Sequence, residues 1–267
     1  MKSCPIKLTL VLLILLSYTV RTLAADEANS HYARGNDFYT KGMLDEAISE
    51  YEKAITLNPF NAKACNNLGI AYKKKGMFNE AIEMYKKATR IKPSYANAYT
   101  NLGSVYTSIG QINAAIEVYK KSLSFEPDVA DTYYNLGNAY LRGERLDNAI
   151  ATYKKTIDIN PRHAEAYNAL GVSYVNKGLL DEGIAEYKKA IEINPNLARA
   201  HYTLGNAYLR KGMLDATIAE FKKAVELEPD LAVAHRDLGA AYKMKKMNRD
   251  ADREFAIYES LVAKRKR

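Results

Sequence analysis

The side chains best suited to chemistry in this 267-residue chain recur at a fixed interval. Asn67, Asn101 and Asn135 stand 34 residues apart, and Asn36, Asn138 and Asn206 fall at multiples of the same step. A carboxamide both donates and accepts hydrogen bonds, so such a row suits the grip of an extended peptide backbone without regard to its side chains. Asn is a middling helix former, and propensity alone does not select it at mid-helix; polar filling is the competing reading. A second series is cationic: Lys86-Lys87, Lys120-Lys121, Lys154-Lys155, Lys188-Lys189 and Lys222-Lys223. A basic ladder of this kind can hold nucleic acid or anionic lipid. Glu83, Glu117, Glu186 and Glu220 precede these lysines by three or four residues, so the ladder is read as a solvated face of intrahelical ion pairs, with no nucleic-acid partner.

The remaining candidates carry less. His31, His201 and His235 hold one equivalent position, but a zinc ion between His201 and His235 would lack a third ligand, and no metal is expected. The two cysteines, Cys4 and Cys65, exclude a disulfide scaffold and a four-cysteine zinc module; Cys65 reads as a small buried hydrophobe. There is no phosphate-binding glycine loop, no metalloprotease histidine pair and no CxxC. No catalytic residue and no cofactor are therefore expected, and the chain is read as noncatalytic.

Hydrophobic residues at 48% and charged residues at 26%, with a net charge of +8, exclude intrinsic disorder and a multi-span membrane protein. The positioning elements are legible in the punctuation. Pro59, Pro93, Pro127, Pro161, Pro195 and Pro229 keep the 34-residue beat, as do Gly35, Gly69, Gly103, Gly137, Gly171, Gly205 and Gly239. Self-similarity at this period marks a stacked-repeat protein. Units begin at Ala28, Ala62, Ala96, Ala130, Ala164, Ala198 and Ala232, and each reads as two helices, since apolar residues recur three and four apart between breaks. The turn inside a unit carries Gly42, Gly76, Gly110, Gly178 or Gly212, with Glu144 as an exception. Asp45, Asn79, Asn113, Asp147, Asp181 and Asp215 are expected as N-caps of the second helix. The first-helix glycines are expected to be contact points under the rings Tyr51, Tyr85, Tyr119, Tyr153, Tyr187, Phe221 and Phe255; with Tyr72, Tyr106, Tyr140, Tyr174, Tyr208 and Tyr242 beside them, packing accounts for eleven of the 21 tyrosines without a cofactor. A mid-helix Gly costs about 1 kcal/mol relative to Ala, so seven in register need such a reason.

Units such as AEAYNALGVSYVNKGLLDEGIAEYKKAIEINP, from Ala164 to Pro195, resemble tetratricopeptide repeats. The resemblance covers residues 28–265, divided as 28–61, 62–95, 96–129, 130–163, 164–197, 198–231 and 232–265. It implies an all-α fold, a right-handed superhelical α-solenoid of stacked antiparallel helix pairs. It also implies that positions 2, 5, 6, 9, 12 and 13 of each unit line a concave groove. The six asparagines above fall at positions 6 and 9, and Tyr134, Tyr202, Arg142 and Arg210 could add side-chain selectivity. The asparagine ladder is similar to that in the repeat domain of O-linked N-acetylglucosamine transferases, without their catalytic domain. Chaperone-tail-binding members carry Lys at position 5; no unit here does, so such tails do not fit this pattern.

The outer faces of the terminal units are polar, with Ser30, Arg34 and Asp37 at one end and Asp252 and Glu259 at the other, as solubility demands of a solenoid. A monomer is expected. Residues 1–24 read as an export signal, with Lys2 and Lys7, the apolar run Leu8–Leu16 and Ala24 before Ala25; an uncleaved membrane anchor is the alternative. Either way the repeats are expected outside the cytoplasm, periplasmic or secreted, with membrane contact only through 1–24. Residues 25–27 are taken as a linker and 266–267 as a basic tail. The functional expectation is a protein-interaction scaffold that binds a peptide segment or protein partner in the groove. The alternative is an accessory subunit of an envelope enzyme or secretion assembly that uses the convex face or the ends.

Overall fold

The computed structural model describes residues 25–265, which form helices joined by short turns, with no strand among them. The signal and tail segments, 1–24 and 266–267, lie outside the described residues. The chain divides into two compact units between Pro127 and Asp128. The first contains α1 (25–40), α2 (Leu44–Leu57), α3 (Ala62–Lys74), α4 (Phe78–Ile91), α5 (Ala96–Ser108) and α6 (Ile112–Phe125). The second contains α7 (Ala130–Arg142), α8 (Leu146–Ile159), α9 (Ala164–Asn176), α10 (Leu180–Ile193), α11 (Ala198–Arg210), α12 (Leu214–Leu227), α13 (Ala232–Met244) and α14 (Asn248–Arg265). Residues 25–27, expected as a linker, are already helical: Ala25, Asp26 and Glu27 include no helix breaker.

Each unit is an all-α stack of antiparallel helix pairs, the tetratricopeptide solenoid arrangement. Within a pair the helices meet through the glycines. A Cβ on Gly137 would stand 2.6 Å from Tyr153 Cε1, and one on Gly69 would stand 2.7 Å from Tyr85 Cε1. No side chain larger than hydrogen fits there without moving a ring that is itself buried. Between pairs, the second helix of one covers the first helix of the next: Ile48 and Ile55 pack with Leu68, and Ile184 packs with Leu204. Cys65 lies in the first of these clusters, fully buried, and burial pushes its thiol pKa up.

The turns differ from expectation in an informative way. The N-cap residues of α2, α4, α8, α10 and α12 are Met43, Met77, Arg145, Leu179 and Met213, none with a capping side-chain bond. Asp45, Asp147, Asp181 and Asp215 instead sit one residue inside the helix. There their charge favours the positive helix end, and each pairs with a lysine of the following helix pair. Lys177 Nζ lies 2.5 Å from Asp147 Oδ1 and Lys211 Nζ 2.6 Å from Asp181 Oδ1; Lys75 with Asp45 and Lys245 with Asp215 repeat the contact. The caps that do form precede first helices: Asn61 Oδ1 accepts from Ala64 N at 3.0 Å. Glu144 takes the left-handed backbone that glycine holds in other turns, with φ of +57°.

The lysine ladder divides between ion pairs and packing. Glu83, Glu117 and Glu186 pair with Lys86, Lys120 and Lys189 as expected. Glu220 bonds instead to His201, whose Nδ1 donates to it at 2.7 Å, and Lys223 pairs with Glu226. His31 and His235 make the same bond to Glu50 and Glu254. The equivalent histidines are thus carboxylate partners within their own repeats. Among the described residues no three His, Cys, Asp or Glu side chains gather to hold a metal ion. Lys154 and Lys188 lie over the rings of Tyr174 and Tyr208 in the next pair, so their stems help cover the repeat interface.

Candidate functional site

First helices line one face of each unit. In the first unit α3 touches α5 directly, and in the second α9 touches both α7 and α11. The polar side chains on these faces are the expected groove residues, and most of them bond to one another. In the first unit Tyr51 OH donates to Asn36 Oδ1 at 2.8 Å, and Asn67 Nδ2 donates to the same oxygen at 2.9 Å and to Tyr32 OH at 3.1 Å. Asn66 Nδ2 donates to Asn67 Oδ1 at 3.2 Å, and Asn101 Nδ2 donates to Asn66 Oδ1 at 3.0 Å. One amide chain therefore runs across α1, α3 and α5. Its ends stay unspent: among the described residues Asn36 Nδ2 has no acceptor and Asn101 Oδ1 no donor. A 330 Å³ cavity opens beside it, lined by Asn36, Tyr39, Thr40, Tyr51, Asn67 and Ile70. Burial pushes the Tyr51 phenol up to about 12.

The second unit arranges the same positions differently. Tyr153 OH donates to Asn138 Oδ1 at 2.7 Å, repeating the Tyr51–Asn36 bond, and Thr203 Oγ1 donates to Asn168 Oδ1 at 2.6 Å. Tyr202 OH donates to Asp237 Oδ2 at 2.7 Å, and Arg236 pairs with Asp237 at 2.8 Å. A 320 Å³ cavity has Leu141, Ala169 and Val172 in its wall with Asn138, Asn168 and Tyr134. Tyr134 also borders a shallow cleft with Asn135, Asp131 and His163. His163 Nδ1 accepts from Ala166 N at 3.3 Å, which caps α9, and its ring tilts on Tyr134 with centroids 4.8 Å apart. Asn206 occupies the position of Asn36 and Asn138, but Phe221 stands where they meet a tyrosine hydroxyl. Arg142 and Arg210 are exposed on the last turns of α7 and α11.

The expected residues thus divide. Asn36, Asn67 and Asn101 belong to one network, Tyr134 borders cavities with Asn135 and Asn138, and the two arginines stand apart from these cavities. Sequence reasoning missed Asn66 and Asn168, although both hold position 5 of their units and share the 34-residue register. It also missed Lys73, whose ammonium donates to Ser104 Oγ at 2.7 Å, and His163. A single buried side-chain polar atom among the described residues lacks a partner, Tyr85 OH. Ile70 stands in its repeat where Asn36 and Asn138 receive Tyr51 and Tyr153, so its hydroxyl meets a hydrocarbon side chain in place of an amide.

The sequence matches the TPR repeat family over residues 35–76, 71–110, 103–143, 138–178, 173–212 and 205–246. No match was found among curated proteins. Among solved structures, MamA is 35% identical, with 65% of this chain and 95% of MamA covered at a TM-score of 0.59. YrrB, described as a TPR protein with an unusual peptide-binding site, is 26% identical, with 69% and 95% covered at a TM-score of 0.55. A tetratricopeptide repeat protein from Parabacteroides merdae shares the fold at 20% identity and a TM-score of 0.74, with 88% and 93% covered. Helix pairs closed by a glycine against a ring, repeating every 34 residues through the matched span, leave one conclusion: this chain belongs to the tetratricopeptide repeat family.

Proposed function

We propose that the chain is a noncatalytic scaffold that holds an extended segment of a partner protein against the faces of its first helices. One observation carries this reading: the amide chain across α1, α3 and α5 ends in a free donor on Asn36 and a free acceptor on Asn101. A peptide backbone presents the complementary pair, a carbonyl and an N–H, at every residue. The bonds inside the chain hold the amides in place beforehand, which lowers the ordering cost of binding. YrrB, similar in sequence and described as having an unusual peptide-binding site, supports a peptide ligand.

The reading includes seven units over 28–265, a monomer, and export directed by residues 1–24. Its supports are the unbroken beat, the polar outer faces of the end helices and the Lys2-Lys7, Leu8–Leu16, Ala24 pattern. Photo-crosslinking from Thr107 on α5 and from Lys87 on α4, followed by mass spectrometry from intact cells, tests it. A partner captured from Thr107, and lost when Asn36 and Asn101 become Ala, is the expected outcome. Capture from Lys87 alone would transfer the function to the opposite face, as in an accessory subunit of a larger assembly. Mature protein beginning at Ala25 would support a cleaved export signal.

A further inference from the structure

We propose that the groove face of the first unit selects an acidic extended segment that seats one apolar side chain beside Tyr39, Tyr51 and Ile70. The proposal rests on the groove reading above and adds the chemistry of its ligand. Across the six groove positions of α1, α3 and α5 there is no Asp or Glu, while Lys63, Lys73 and Lys74 supply three cations. The neutral positions are mostly amides and hydroxyls, which hold a ligand's main chain without opposing its charge.

Lys73 is the central observation. Its side chain is half-buried, its ammonium donates to Ser104 Oγ at 2.7 Å, and no carboxylate among the described residues lies within ion-pair distance. Lys75, two residues on, pairs with Asp45. Burial lowers the Lys73 pKa, as expected of an ammonium that has lost water without gaining a counter-charge. An incoming carboxylate would supply that charge. Lys74 Nζ lies 5.1 Å over the ring of Tyr39, a wall of the 330 Å³ cavity, and Ile70, another wall, is one helical turn before Lys73. The cavity therefore has the Asn36 and Asn67 amides in its lining, Lys74 over the ring of one wall residue, and Lys73 one turn beyond another. Its walls of Tyr39, Tyr51 and Ile70 suit a Leu or Phe side chain between flanking acids.

The same features disfavour a nucleic acid. No arginine occupies these positions, Tyr32 leans on Tyr51 with centroids 6.0 Å apart, and Lys74 lies over Tyr39, so the rings do not form a row on which successive bases could stack.

Fluorescence anisotropy on the full chain tests the proposal with four probes. The first is a short labelled peptide of Asp and Glu around a central Leu. The others are copies with Asn and Gln, or with Lys, in place of the acids, and oligothymidylate of similar length. The acidic peptide is expected to bind about tenfold or more tighter than the neutral one and to lose that margin in the Lys73→Gln, Lys74→Gln variant. Lys86→Gln with Lys87→Gln, on α4, should leave it bound as before. Replacing the central Leu by Gly should weaken it. Equal binding of neutral and acidic peptides, lost on Asn36→Ala with Asn101→Ala, would overturn the acidic ligand and leave the groove reading standing. Acidic binding that needs the lysines but not those asparagines would support the acidic ligand and count against the amide grip. The proposal is overturned if oligothymidylate or the Lys peptide binds more tightly, if the lysine variant binds unchanged, or if the acidic peptide does not bind.

Discussion

The two units use one helix-pair plan to build different faces. On the first, the groove positions carry amides, hydroxyls and three lysines, and the asparagines bond to each other across successive helices. On the second, Asp131, Glu165 and Asp237 stand among Arg142, Arg199, Arg210, Arg236 and Lys243, and Leu141, Ala169 and Val172 border a cavity. The buried seam of each pair barely differs between units, because it must seat a ring against a glycine every time. Groove positions are released from that demand. Their side chains meet neighbouring first helices, solvent and, at Asn36 and Asn138, only the hydroxyl tip of a seam ring, so a polar side chain there can change type while the packing beneath it stays as it was.

The largest effect that would sharpen this contrast comes from the shared seam. Gly137→Leu forces a side chain onto Tyr153 and should cost about 3 kcal/mol, at the upper end of overpacking, read as a lower thermal midpoint. Gly69→Leu should cost a similar amount against Tyr85; a large difference between the two would break the claim of a common seam.

Acid should next separate the units. Burial alone would raise the Glu50 pKa, but hydrogen bonds from Lys53 and His31 and the charge of Arg34 hold it down to about 2, from an ordinary 4.5. A carboxylate with a depressed folded pKa contributes stability that is present above 4.5 and lost as pH falls toward 2. Unfolding curves across that window should show the loss in the parent protein and a smaller one in Glu50→Gln, which starts less stable at neutral pH.

Smaller effects concern single hydroxyls and one turn. Tyr153→Phe removes the donor to Asn138 and should cost about 0.5–1.5 kcal/mol, whereas Tyr85→Phe deletes a hydroxyl with no partner and should be neutral or stabilising. Equal losses in denaturant titrations would mean that Ile70 does not leave Tyr85 unsatisfied. Glu144→Gly should gain up to about 1 kcal/mol by relieving a left-handed backbone, while Gly76→Glu, at the same turn position in the first unit, should lose a similar amount.

Much of this was legible from residue type and interval. The glycine and ring series sit at the contacts their spacing implied, with Ile48 and Ile184 covering the next first helix. The caps were misread because Asp and Asn favour N-caps in isolation, while here a residue one place inside the helix gains both the helix dipole and a lysine from the next pair. The groove was legible as a row of amides but not as a network. Asn66 reaches Asn101 across 35 residues, and the bond depends on how closely α3 and α5 approach.

The sequence by itself determined the helix pairs, their period and the family, because these rest on local propensity, on turn residues and on small-to-large contacts repeated at one spacing. Tertiary structure alone decided which polar groups are spent and which remain open. Asn36 and Asn67 have the same side chain, yet one keeps a free donor while the other gives its donors to Tyr32 and Asn36. Lys73 and Lys75 are two residues apart, yet one meets a hydroxyl and the other an aspartate. A hydrogen bond depends on distances of a few tenths of an ångström between different helices, and only the packed stack sets those distances.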